Sequence, residues 1–210
     1  MTLQQKLEKC LALQDEFNRI IDPSWKHAGF PWNRAMWIEA GEALDHYGYK
    51  WWKQQDTDME QVKLELVDIF HFLLSGLLTE YDTNEQVARL LCGVSSRRSA
   101  KRERLPESIE YFVNSCTSVV DSYSMMARAF GVMVVDAGYD IELLADEYIY
   151  KNTLNKFRQD NGDKTGKYPR IWNGKEDNVV LVEIVAAGNK DYDSIYKELL
   201  RRYSELNQLQ

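Results

Sequence analysis

Apolar residues recur at intervals of three and four along almost the whole chain, the spacing of helices that bury one stripe. Leu3, Leu7, Leu11 and Leu13, with Phe17 and Ile20, predict a first helix that Asp22-Pro23 ends. A second is expected from an Asn33 N-cap through Met36, Ala40 and Ala43 towards Tyr47, weakening at Gly48. Between Asp58 and Tyr81 the apolar face is broad, carried by Val62, Leu66, Ile69, Phe70, Leu73 and Leu77. A fourth helix from Asn84 gives way to the basic run Arg97 to Arg104, which reads as a solvated connection. Pro106 then opens a long helix expected to reach Val135, and Asp136-Ala137-Gly138 closes it. Helices over about 140–159 and 194–206 flank a polar loop over 161–178. Only Val179 to Val185 reads as a strand, and it has no partner. The fold class is all-α: a helical bundle in one domain over 1–210, with a basic connection near 95–105.

Composition narrows the function more than the fold. With 44% hydrophobic residues in 210, the chain is not disordered, and 4 Pro and 11 Gly disfavour a turn-rich β-sandwich. A net charge of −7 argues against nucleic acid as a partner, because phosphate neutralisation needs a basic face. Cys10, Cys92 and Cys116 form no metal-ligand spacing, and three unclustered thiols suit a reducing compartment. The charged amphipathic start carries no signal peptide, and no apolar run is long enough to span a membrane. A cytoplasmic, soluble protein is expected.

Two carboxylate pairs carry the strongest chemical signal. Glu39 and Glu42 stand three positions apart, about 300° around a helix, so they share a face one turn apart. Glu65 and Asp68 repeat the spacing on the next helix, in otherwise apolar sequence where like charges need a compensating cation or proton. Four hard oxygen ligands across a helical hairpin suit Mg²⁺, with Mn²⁺ as an alternative.

Cations gather further along the chain. Lys151, Asn155 and Arg158 share one helix face, and Lys164, Lys167 and Arg170 follow in the loop with Gly162 and Gly166 between them. In an acidic chain this resembles a clamp for polyphosphate, Arg gripping bidentately and Lys as a point charge. The aromatic cluster Lys50-Trp51-Trp52-Lys53 offers a base-stacking surface as well as a core anchor. Gln14 and Asn18, four apart on the first helix, are ordinary surface polar residues or amides able to read a nucleobase edge.

Taken in order, Gln14 to Asn18, Glu39xxGlu42, Lys50-Trp51-Trp52-Lys53, Glu65xxAsp68, the Tyr150 to Gln159 segment, Gly166xTyr168 and Trp172xGly174xGlu176-Asp177-Asn178 resemble the dimeric all-α dUTP pyrophosphatases (dUTPases). These sit in the all-α nucleoside triphosphate pyrophosphatase (MazG-like) superfamily. The resemblance implies a homodimer that hydrolyses dUTP to dUMP and pyrophosphate, with Mg²⁺ held by Glu39, Glu42, Glu65 and Asp68. It implies Glu42, or failing that Glu39, as the group that activates water. Lys151, Asn155 and Arg158 on the helix, with Lys164 and Lys167 in a phosphate-binding loop near 161–178, would meet the phosphates, and Gln14, Asn18, Trp51 and His71 the base and sugar. Asp163 and Arg170 depart from the pattern, which favours Tyr and Lys there. A dual dCTP/dUTP or MazG-like pyrophosphatase, and a silent helical interaction protein, are the competing readings.

Overall fold

The computed structural model describes residues 1–94, 100–118 and 122–206. They gather into two compact units, Met1–Ala145 and Asp146–Gln210.

Among the described residues, every regular element of the first unit is helical. Its α1 (Leu3–Ile21) starts from a Thr2 capping box completed by Gln5, and Asp22 ends it in extended backbone. After a short 3-10 turn come α2 (Trp32–Tyr47) and α3 (Met59–Glu80). Gly48 closes α2 in the left-handed region, at φ 88°, where a side chain would be strained. Asp58 caps α3 by accepting from the Glu60 and Gln61 amides. α4 (Asn84–Val94), α5 (Leu105–Thr117) and α6 (Tyr123–Asp136) complete the bundle.

α2 and α3 make the most extensive packing in this unit, with α5 behind α2 and α1 against α3 and α4. Sequence dictates the arrangement: α3 buries thirteen of its residues, among them Val62, Leu66, Ile69, Phe70, Leu73 and Leu77. Phe70 stacks on Phe130 of α6, rings 5.9 Å apart and 5° from parallel. Close approach fixes α6 at two points. A Cβ on Gly76 of α3 would fall 2.4 Å from the Tyr123 ring, and one on Gly131 of α6 would fall 2.1 Å from Val94. Glu80, the last residue of α3, also caps α6 by accepting from the Ser122 hydroxyl and the Ser124 amide.

The second unit holds the greater part of α7 (Ile141–Asp160), a hairpin of β1 (Ile171–Trp172) and β2 (Lys175–Glu176), then α8 (Asp177–Ala186) and α9 (Tyr192–Leu206). Its core joins Leu154 and Phe157 of α7 to Tyr168, Trp172, Val180, Ile184, Ile195 and Leu199. Phe157 meets the rings of Tyr168, Trp172, Tyr196 and Tyr203 edge-on at 5.4–6.2 Å.

The all-α expectation holds, and three details are corrected. Asn33 does not cap α2. Pro31 precedes the helix, and the Asn33 amide instead donates to the Cys116 carbonyl at 3.1 Å. The long helix expected from Pro106 to Val135 is two helices, α5 and α6. Ser118 and Ser122 both take extended backbone, while the Ser115 and Thr117 hydroxyls bond back to the last turns of α5. Val119 and Val120 lie outside the described residues. Val179 to Val185 is helical, not a strand. Its apolar run buries Val180, Leu181 and Ile184, a one-sided spacing that the unit's core rewards over β propensity. The expected basic connection also lies partly outside the described residues, which resume at Ala100. No helix among the described residues is long and apolar enough to cross a membrane.

Candidate active site

Three of the four acids converge. Oxygen atoms of Glu39 and Glu42 on α2 and of Glu65 on α3 all lie within 4.8 Å of one another. Glu65 is buried, Glu39 half-buried and Glu42 exposed, so the cluster runs from the helix interface outwards to solvent. Asp68 stands outside this tight trio but acts on it. Burial pushes the Glu39 carboxyl up, and the charges of Asp68, Glu42 and Glu65, with a hydrogen bond that protonated Glu39 donates to Glu65, bring it to about 7. Carboxyls so crowded hold a proton near neutrality unless a cation replaces it. The donor set fits a hard divalent ion, which takes oxygen ligands from carboxylates and keeps part of its hydration.

His46 joins the cluster although the sequence reading passed over it. Its Nε2 lies 3.5 Å from Glu65 Oε1. The signal was present: His46 falls seven residues after Glu39 and four after Glu42, on the same helical face.

Behind the acids, α1 and α3 enclose a polar network. The Gln14 amide donates to Asn18 Oδ1 at 2.9 Å, and Asn18 Nδ2 donates to the Ser75 hydroxyl at 3.0 Å. Ser75 in turn donates to the His71 carbonyl at 3.0 Å, while His71 Nδ1 meets Gln14 Oε1 at 2.9 Å. All four side chains are buried. The structure thus brings Gln14, Asn18 and His71 together and adds Ser75, one turn beyond His71. Trp51 lies in the connection between α2 and α3, 90% exposed and edge-on to Trp52.

The expected phosphate ligands belong to the second unit. Lys151 and Asn155 are half-buried on α7, whereas Lys164 and Lys167 are exposed around a 3-10 turn at Asp163–Thr165. Arg158 is engaged within the unit. Its Nη2 and Nε donate to the two Asp177 oxygens at 2.7 and 2.8 Å, Nη1 to Asn155 at 3.0 Å, and Nη2 also to Asn178 at 3.2 Å. Tyr168 completes the knot by donating to Asp177 at 2.9 Å. Burial would raise the Asp177 carboxyl, but the Arg158 fork and the Tyr168 hydroxyl hold it below its ordinary value. The two departures from the family pattern meet each other here, since Arg170 grips Asp163 at 2.7–3.1 Å.

The dUTPase family matches the chain over residues 6–162. The match takes in all four acids, Gln14, Asn18, Trp51 and His71, and Lys151, Asn155 and Arg158, and stops short of Lys164 and Lys167. No curated protein matches the chain. A family match over most of the sequence agrees with the all-helical architecture, and on it the chain belongs to the dUTPase family and is a nucleotide hydrolase of the dUTP diphosphatase kind.

Proposed function

We propose that the chain hydrolyses dUTP to dUMP and pyrophosphate, using Mg²⁺, or Mn²⁺ in its place, at Glu39, Glu42, Glu65 and Asp68. The observation that carries the reading is the crowding of Glu39, Glu42 and Glu65 within 4.8 Å, with Glu39 pushed to about 7. Bound there, the metal would supply Lewis-acid polarisation of phosphoryl oxygens and neutralise their charge. Glu42, the exposed member, orients a water and takes its proton as the water oxygen attacks the α-phosphorus. The bond from the α-phosphorus to its bridging oxygen breaks, and pyrophosphate departs. Glu39, the half-buried member, is the second choice as base.

Lys151, Lys164 and Lys167 supply positive charge for the departing pyrophosphate. Asn155 and Arg158 belong to the same phosphate-binding set, Arg158 being held in place by its bonds to Asn155 and Asp177. Gln14, Asn18 and His71 read the base and sugar, with Trp51 as a stacking surface. A homodimer is part of the proposal. Tyr111 on α5 and Met125 on α6, with Trp37 and Ile38 on α2, are large apolar side chains left exposed.

A panel of deoxynucleoside triphosphates with Mg²⁺, products resolved by chromatography, tests the reading. The expected products are dUMP and pyrophosphate, with activity lost to a chelator and restored by Mg²⁺. Orthophosphate with dUDP as first product would refute attack at the α-phosphorus. Equal efficiency on dCTP would favour a dual-specificity enzyme, and on purine nucleotides a MazG-like one.

A further inference from the structure

The buried network on α1 and α3 has a direction, and one atom sets it. Ser75 carries a single hydroxyl proton, and that proton is given to the His71 carbonyl one turn back. The Ser75 oxygen therefore presents only lone pairs to Asn18, which must turn its NH₂ towards it. Asn18 Oδ1 then faces Gln14, which must answer with its own NH₂, and Gln14 Oε1 is left facing the imidazole. An amide oxygen accepts and does not donate, so His71 Nδ1 carries the proton. In the neutral ring Nε2 is then the nitrogen with the lone pair.

We infer that Ser75 is a positioning residue that fixes the donor–acceptor polarity of Asn18, Gln14 and His71, and through them the choice of uracil over cytosine. The inference rests on the proposed base-reading role of those three side chains. Its chemistry is that the two bases present opposite patterns. Uracil offers an N3–H donor and an O4 acceptor, whereas cytosine offers an N3 acceptor and an amino donor. Two amides that were free to turn over together would suit either base. Anchored by Ser75 they suit one, and the wrong base leaves buried polar groups unpaired. Ser75 is fully buried within a helix, where its hydroxyl has no solvent alternative to these two partners. Inverting the relay would require the serine to abandon its carbonyl.

Two measurements separate this inference from the reading it rests on. Nitrogen-15 NMR of the unliganded protein, at a pH where the imidazole is neutral, reports which His71 nitrogen holds the proton. The wild type should show the Nδ1–H tautomer, and Ser75→Ala should bring in the Nε2–H form. A wild type in the Nε2–H tautomer would overturn the relay without any substrate or variant. In parallel, the ratio of kcat/KM for dUTP to that for dCTP should fall roughly tenfold or more in Ser75→Ala, the scale of one mismatched buried polar group. Rejection of dTTP, which turns on the bulk of the 5-methyl group, should not move. An unchanged tautomer together with an unchanged ratio would reduce Ser75 to a space-filling residue. A changed tautomer with an unchanged ratio would overturn its role in specificity. A wild type that does not distinguish dUTP from dCTP would refute the base-reading assignment, while the tautomer would still decide the relay.

Discussion

Replacing Glu39 by Gln in the metal-free protein should stabilise it at alkaline pH and do nothing at acid pH. The unfolded carboxyl titrates near 4.5 and the folded one near 7. Because the folded group keeps its proton longer, its favourable contribution is complete below pH 4.5 and is lost as the pH rises to about 7. At about 1.36 kcal/mol per pH unit, the interval from 4.5 to about 7 corresponds to at most about 3.4 kcal/mol. Glu39 is only half-buried, so solvent screening cuts this to about 1–2 kcal/mol. Glutamine keeps the shape and a hydrogen-bond donor for Glu65 but cannot ionise. In EDTA at pH 8, Glu39→Gln should therefore melt about 2–8 °C above the wild type, and at pH 4.5 the two should coincide. Saturating Mg²⁺ should reverse the order, since a ligand at a hundred times its Kd adds about 2.7 kcal/mol to the protein that binds it best. Thermal unfolding followed by circular dichroism at the two pH values, with and without Mg²⁺, gives all four numbers. A variant that is less stable than wild type at pH 8 in EDTA would refute the claim that the acids repel one another there.

Glu42→Gln should lower turnover on dUTP by roughly a hundredfold or more with the helical fold intact, as read by steady-state kinetics beside a far-ultraviolet circular dichroism spectrum. Asp177→Asn should cost about 3 kcal/mol by stranding the buried Arg158 charge, seen as faster amide exchange over 163–178. In the wild type this pair's contribution should be present above the ordinary carboxylate value of 3.8 and fade as the pH falls through the lower folded value. Gly174→Ala should cost about 1–2 kcal/mol through its backbone alone, since φ is 81° and open space surrounds the added methyl, and urea denaturation would measure it. Sedimentation at micromolar concentration should give twice the 24.6 kDa chain mass, and a monomer would refute the proposed assembly.

Helices announced themselves where the apolar stripe was wide or the caps explicit. Gly48 ends α2 where the sequence expects the helix to weaken, whereas the caps at Thr2 and Asp58 were not singled out and the one expected at Asn33 did not form. The acidic cluster was legible for the same reason, because three-residue spacing on a helix leaves little freedom in where the oxygens go. Elements governed by tertiary partners were not legible. Val179 to Val185 has β-branched composition, and the neighbouring aromatic core, rather than propensity, makes it helical. The hairpin was missed although Asn173-Gly174 is a strong type I′ signal, because the flanking strands are only two residues each. The pairing of Arg158 with Asp177 was not legible, because charge along a helix face says nothing of a buried carboxylate nineteen positions on. Ser75 was invisible, since a serine in an apolar helix declares itself only once its two partners are in place.

Glu65, Asp68, His71 and Ser75 descend α3 at intervals of three, three and four, a span of ten residues or about 15 Å of helix. If the first two hold the phosphate end of a nucleotide and the last two the base end, this helix is a ruler. It sets how far the reacting phosphorus lies from the ring being read, and a continuous hydrogen-bonded helix cannot stretch to suit another length. Inserting one residue between Asp68 and His71 would advance the second pair by about 1.5 Å and turn it by about 100°. Both ends would survive as local structures, yet they would no longer be able to grip the same molecule. On that assignment chemistry and recognition are tied to one another by chain geometry, and variation in substrate choice is confined to side-chain exchange and closed to changes in length.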